Sequence, residues 1–246
     1  MRNGFKSLLV FLFTLTALLS QGAISTVRGD DLRAEDVVRN LRSRFAEIED
    51  YTVLLSVESD IEAFRVPRME VKAFFKQPDR LHLESKGFAI LPKEGIFINP
   101  NLFTNEDFYM AMLGKETLKG RELLKLELVP RKEGIKVRKL VLWIDQVRWI
   151  TLKIEIVTWQ GQSFQVDLEY KKFQDRYWMP VKATAMVDFS GFRGFSSFHG
   201  RSGWETPNRA ESDKMKGEIT VRFDDYRINE GIPDSIFGQG EGGKGP

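Results

Sequence analysis

Apolar residues recur along this chain with two different periods. Between Leu32 and Ile48 they fall at helical spacing, with charged residues filling the positions in between. The apolar positions are Leu32, Val37, Val38, Leu41, Phe45 and Ile48. Asp30 and Asp31 precede them, where an N-cap is expected. One apolar stripe with a charged back predicts a helix that lies against a sheet.

From Tyr51 onward the period changes to two, which predicts strands. The first apolar face contains Val53, Leu55 and Val57, and similar alternating segments follow until Phe223. Two of them surround the turn Gln77-Pro78-Asp79, and other turns are equally short. Strands that are joined by short turns are antiparallel neighbours. We therefore expect a mainly β (α+β) protein with a long antiparallel meander of about ten or more strands.

A second helix is predicted from Asn105 to Leu113. Thr104 and Asp107 have the spacing of a capping box, and Phe108 and Met112 are four residues apart. A long sheet with one apolar face must curl, either closing into a barrel or wrapping around another element. The N-terminal helix is the element it would wrap, and the short second helix would be a lid over the open mouth.

The first 22 residues have the pattern of a signal peptide. Arg2 and Lys6 form a basic region, an apolar core of twelve residues follows, and Ser20-Gln21-Gly22 offers a cleavage site. The core is shorter than the roughly 20 residues that a membrane-spanning helix needs. We expect export of a single domain covering residues 30–237, followed by a flexible, glycine-rich tail at 238–246.

Composition argues for binding rather than catalysis. Without Arg2 and Lys6 the 37 basic residues fall to 35, equal to the 35 acidic ones, so a nucleic-acid-binding surface is not expected. There is no cysteine and there are two histidines, which disfavours disulfides and zinc sites. The sequence Gly200-Arg201-Ser202-Gly203 is one residue short of a hydrolase motif. We expect no enzyme activity, no catalytic residue, no metal and no cofactor.

Three phrases carry a resemblance to a known family. They are Phe75-Lys76-Gln77-Pro78-Asp79-Arg80, Leu142-Trp143-Ile144-Asp145 and Tyr177-Trp178-Met179-Pro180. With the leading helix they resemble the LolA-like periplasmic lipoprotein carriers and their LolB, RseB and mycobacterial relatives, over about residues 32–228. The resemblance implies an unclosed antiparallel β-barrel with helices over its concave apolar face, binding acyl chains in the periplasm.

The resemblance also implies partners. They are an acylated lipoprotein or another lipid, an inner-membrane ATP-driven release complex and an outer-membrane acceptor, with the protein itself a monomer. A sensor that binds lipid or lipoprotein to regulate a membrane partner is an alternative. So is a structural docking protein, because residues 190–213 insert Phe192, Phe195, Phe198 and Trp204, which departs from the family pattern.

Two sets of residues are candidates for the lipid site. The cavity wall is predicted to contain Val71, Ala73, Phe75, Leu81, Leu83, Leu126, Leu128, Leu142, Ile144, Leu152, Ile154, Val166 and Leu168. The lid or mouth is predicted to contain Phe88, Ile90, Leu91, Phe97, Phe108 and Met112. Ordinary core packing is the alternative for both sets, because most apolar side chains simply pack.

Overall fold

The computed structural model describes residues 32–61, 68–85, 99–132, 135, 137–159, 163–188 and 216–239. The predicted first helix is present as α1, Ala34–Phe45, with Ala34, Val37, Val38 and Leu41 buried. The N-cap prediction at Asp30 and Asp31 was wrong, since the extended residue Arg33 occupies that position. Asp36 supports the first turn instead, through ion pairs with Arg33 and Arg39. Within the described ranges, no helix has the length and apolarity needed to traverse a bilayer.

The described residues form ten strands in one antiparallel sheet. They are β1 (Asp50–Ser59), β2 (Met69–Lys76), β3 (Arg80–Ser85), β4 (Phe108–Leu118), β5 (Arg121–Pro130), β6 (Val137–Asp145), β7 (Ile150–Thr158), β8 (Ser163–Phe173), β9 (Tyr177–Asp188) and β10 (Lys216–Ile228). Their order is β3-β2-β1-β10-β9-β8-β7-β6-β5-β4. The edge strands β3 and β4 do not pair, so the sheet is open. The predicted open antiparallel architecture is confirmed.

The first and last strands meet in the middle of this order. β1 pairs with β10, from Tyr51 opposite Ile228 to Ser59 opposite Ile219. Asn229 secures one end of the pair, because its backbone N–H donates to the Asp50 carbonyl at 2.9 Å. The chain is thus a meander from β4 to β10 onto which the three N-terminal strands are added.

The predicted second helix is absent, and this prediction was wrong. The Thr104 Oγ1 does accept a bond from the Asp107 N–H at 3.1 Å, but the turn leads into strand β4. Phe108 and Met112 share a face in a strand as well as in a helix, because a spacing of four residues fits both periods. Pairing with β5 decides between them, with Met110 opposite Leu128 and Met112 opposite Leu126.

Two of the phrases that carried the family resemblance form structural turns. The Gln77 Nε2 donates to the carbonyls of Phe45 and Ile48, tying the β2–β3 turn to the end of α1. The buried Asp145 accepts bonds from the backbone N–H groups of Val147 and Arg148 and closes the β6–β7 turn. Both segments therefore stabilise turns of the sheet that carries the candidate site.

Candidate functional site

The inner face of the sheet, which packs against α1, carries most of the predicted wall residues. We call the half nearer the β6–β7 turn the proximal half, and the half nearer the start of β4 the distal half. Ten of the thirteen predicted wall residues lie on the inner face and are buried: Val71, Ala73, Phe75, Leu126, Leu128, Leu142, Ile144, Ile154, Val166 and Leu168. Leu81 and Leu83, opposite Phe75 and Ala73, are half-buried.

Leu152 does not share the face assigned to it from the sequence. The pairing of β6 with β7 shifts in register between Trp143 and Ile144, and Leu152 on β7 lies at this shift. Its side chain therefore does not follow the inward and outward alternation of its neighbours. It packs instead with an outer-face cluster of Leu123, Val141 and Trp143. Lysine side chains close this cluster, since the ammonium groups of Lys125 and Lys153 each lie 4.7 Å from the Trp143 ring centre. The stems of such side chains cover apolar surface while their charges reach water.

The proximal half of the inner face is filled. Leu126, Leu142, Ile154 and Val166 are direct cross-strand partners along β5 to β8, and each is at most 6% exposed. Such exposure describes a packed core rather than the wall of an open cavity. Burial there stabilises the fold, and a lipid could enter this half only if the packing opened.

A small pocket lies at the C-terminal end of α1. Its volume is about 80 Å³, below the roughly 300 Å³ at which ligand sites for small molecules begin. Leu41 and Phe45 of the helix face Ile150, Leu168 and Phe223 of the sheet across it. Tyr51 and Tyr170 also line the pocket, and burial raises the pKa of both phenols further above the physiological range.

The distal half is different. Five apolar residues face one another in succession across five neighbouring strands: Met110 on β4, Leu128 on β5, Leu140 on β6, Ile156 on β7 and Phe164 on β8. We call these residues the distal row. Leu128 is fully buried, but the other four are only half-buried. The distal row is therefore a continuous line of partly accessible apolar surface on the inner face. It lies about two residues along the strands from the buried row of Leu126, Leu142, Ile154 and Val166.

Sequence reasoning placed one member of the distal row, Leu128, among the site residues. Leu140, Ile156 and Phe164 were recognised as strand residues but not as site residues. Only the difference in burial between two neighbouring rows distinguishes them, and alternation along one strand carries no such signal.

Two of the six predicted lid or mouth residues lie in the described part of the structure. Phe108 is buried against Phe103, with ring centres 6.0 Å apart, and Met112 is half-buried opposite Leu126. Both belong to edge strand β4. Phe88, Ile90, Leu91 and Phe97 lie outside the described residues, as does the insertion at 190–213.

The five residues of the distal row carry no charge, and charged side chains at the start of β4 and the end of β5 contact other residues. The Asp107 carboxylate at the start of β4 contacts Lys132 at 2.6 Å, and this lysine together with Thr104 lowers the pKa of the carboxyl. The Arg131 guanidinium stacks on the outward ring of Tyr109, 3.8 Å from its centre. The row itself offers apolar contact.

Comparison with known proteins supports the fold. A family model described as "Uncharacterized protein" matches residues 98–191. No curated protein matches the sequence.

Solved structures are similar over most of the chain. A domain from Vibrio parahaemolyticus, named for outer-membrane lipoprotein sorting, shares 14% identity at a TM-score of 0.55, covering 83% of this chain and 97% of its own. A LolA superfamily protein from Nitrosomonas europaea has 11% identity, the same coverages and the same TM-score. A DUF1329 family protein from Desulfovibrio piger has 11% identity, covers 83% of this chain and 96% of its own, and gives 0.52. The chain thus has the LolA-like fold, with an open antiparallel sheet and one N-terminal helix.

Proposed function

We propose that this protein binds the acyl chains of a lipid or lipoprotein on the inner face of its open sheet and carries them shielded from water. The observation that carries the proposal is the distal row. Contiguous accessible apolar patches on soluble proteins often mark sites where a ligand or partner binds. Acyl chains fit because the row offers hydrophobic contact without polar groups that would select a polar ligand.

The free energy of burying one acyl chain is large enough for stable binding. Burying methylene groups contributes about 0.8 kcal/mol each, so a chain of about 16 carbons has on the order of 12 kcal/mol of gross binding free energy. Costs of ordering the chain and of association reduce this value by several kcal/mol. At the smallest such cost, about 4 kcal/mol, about 8 kcal/mol remains, so the expected affinity is micromolar. A cargo held this well needs an acceptor or a conformational change for release.

The similar structures and the sequence pattern extend the proposal. One of those structures is named for outer-membrane lipoprotein sorting, and residues 1–22 have the pattern of an export signal. We infer a periplasmic carrier that acts as a monomer on lipoprotein or lipid. An inner-membrane ATP-driven complex would load it, and an outer-membrane acceptor would unload it.

Titration with a matched pair of peptides tests the proposal. One peptide carries a palmitoyl group and a fluorophore, and the other carries the fluorophore alone. The proposal predicts that the acylated peptide binds at least tenfold more tightly, as measured by fluorescence anisotropy below its critical micelle concentration. Equal affinity for the two peptides would contradict it.

A further inference from the structure

Cross-strand pairing gives the direction of the distal row and its span from β4 to β8. Direct cross-strand partners lie on lines perpendicular to the strands, and neighbouring strands are about 4.8 Å apart. Four gaps separate Met110 on β4 from Phe164 on β8, so the row is about 19 Å long. An extended hydrocarbon with bonds of about 1.5 Å advances about 1.25 Å per carbon. The row therefore has the length of an acyl chain of about 15 or 16 carbons.

A buried row bounds the distal row on its proximal side. On the proximal side, Leu126, Leu142, Ile154 and Val166 are sealed, so a ligand that lies beside them cannot enter without displacing core. The strands alternate, so Glu155 and Val157, on either side of Ile156, project to the outer face. Across β5 to β8 the accessible apolar surface therefore begins at the distal row.

We propose that the distal row is a single-chain acyl site that measures chain length: one acyl chain of about 16 carbons lies across β4 to β8, in contact with its residues. The inference rests on the proposed lipid-binding function and adds the orientation, number and length of the bound chain. Hydrophobic transfer by itself strengthens binding with every added carbon. In a site of fixed length, carbons that extend past its end add no further binding free energy.

Saturated fatty acids of 8 to 18 carbons, displacing a fluorescent fatty acid below their critical micelle concentrations, test the length. For the wild-type protein, affinity is expected to rise up to about 16 carbons and then to level off. Leu140 is the middle member of the row, so Leu140→Trp blocks it at the centre whichever way the chain points. The variant should level off at about 8 to 10 carbons and lose at least tenfold in affinity for the 16-carbon acid.

A charge test uses two adjacent residues on β7. Ile156 and Val157 are both half-buried and branched at Cβ, but Ile156 faces inward and Val157 outward. Ile156→Lys should weaken binding of the 16-carbon acid at least tenfold, and Val157→Lys should change it less than twofold. Circular dichroism and urea midpoints establish that both are folded. If Ile156→Lys is unfolded, Phe164→Ala replaces it, with an expected loss of about threefold to tenfold.

The outcomes separate the two proposals. If the wild-type protein binds no fatty acid and no acylated peptide, the lipid-binding function itself is wrong. If it binds them, but Leu140→Trp keeps the wild-type length profile and Ile156→Lys behaves like Val157→Lys, the function stands and the distal row is not the site. A wild-type affinity that keeps rising beyond 16 carbons would also overturn the inference.

Discussion

Replacing Asn229 with alanine should destabilise the fold more than a typical surface substitution. The Asn229 Oδ1 accepts bonds from the N–H groups of Glu49 at 2.7 Å and Asp50 at 3.3 Å. Its Nδ2 donates to the Glu47 carbonyl at 3.0 Å and to the Tyr177 hydroxyl at 3.2 Å. One side chain, placed just after β10, therefore joins the segment that follows α1, the start of β1 and the start of β9.

The expected loss has two parts. Each hydrogen bond contributes about 0.5 to 1.5 kcal/mol net, and because the residue is exposed we take the lower values, giving about 2 kcal/mol in total. Asn229 also has φ of 58°, in the left-handed region that asparagine tolerates better than alanine. Alanine there adds about 1 kcal/mol. Asn229→Ala should thus lower the free energy of unfolding by about 3 kcal/mol.

Glycine at the same position separates the two parts. Asn229→Gly loses the same hydrogen bonds but adopts positive φ freely, so it should be about 1 kcal/mol more stable than Asn229→Ala. Urea unfolding followed by circular dichroism measures both, and 3 kcal/mol corresponds to a midpoint shift of about 1 to 2 M. Equal stability of the two variants would refute the backbone contribution. A loss below about 0.5 kcal/mol in both would refute the role of the hydrogen bonds.

Two further predictions concern other contacts. Gly217→Ala should lower the free energy of unfolding by about 1 to 3 kcal/mol, because a Cβ there would lie 2.6 Å from the Asp60 Oδ1 and 3.0 Å from the Ile61 Cα. An unchanged thermal midpoint would contradict this and show that this part of the chain moves aside easily. The Asp234 carboxylate bonds Lys76 at 2.6 Å, and this bond lowers its pKa below 3.8. Its stabilising effect is therefore present at neutral pH and lost as the pH falls through the lowered pKa. The stability difference between wild type and Asp234→Asn should accordingly vanish in strong acid, and a difference that persists below pH 2 would contradict this cause.

The sequence predicted the parts of the fold that local patterns determine. The stripe from Val37 to Leu41 predicted α1, and alternation predicted the strands and their antiparallel turns. The β1–β10 pair was not predictable, because it joins residues more than 150 positions apart and no turn links them. The error at Asn105–Leu113 arose where a four-residue spacing satisfies both helix and strand.

The sequence predicted which of the candidate site residues share a face of the sheet, but not which of them are accessible. Alternation placed Leu126, Leu142 and Ile154 on the inner face, and the structure agrees. It could not reveal that these residues are sealed while Leu140 and Ile156 are half-buried, since that depends on what lies over each row. Leu152 left its expected face because of a register irregularity that no local pattern marks. The lid residues outside the described ranges, the signal peptide and the domain limits stay predictions.

Native mass spectrometry of the protein, purified without detergent from the cells that produce it, tests lipid binding most directly. We predict a population heavier than the bare chain by the mass of one acylated molecule, which organic extraction releases and identifies. A protein that carries no such mass, and that takes up neither fatty acid nor acylated peptide afterwards, would contradict the proposed function and leave the distal row as ordinary surface.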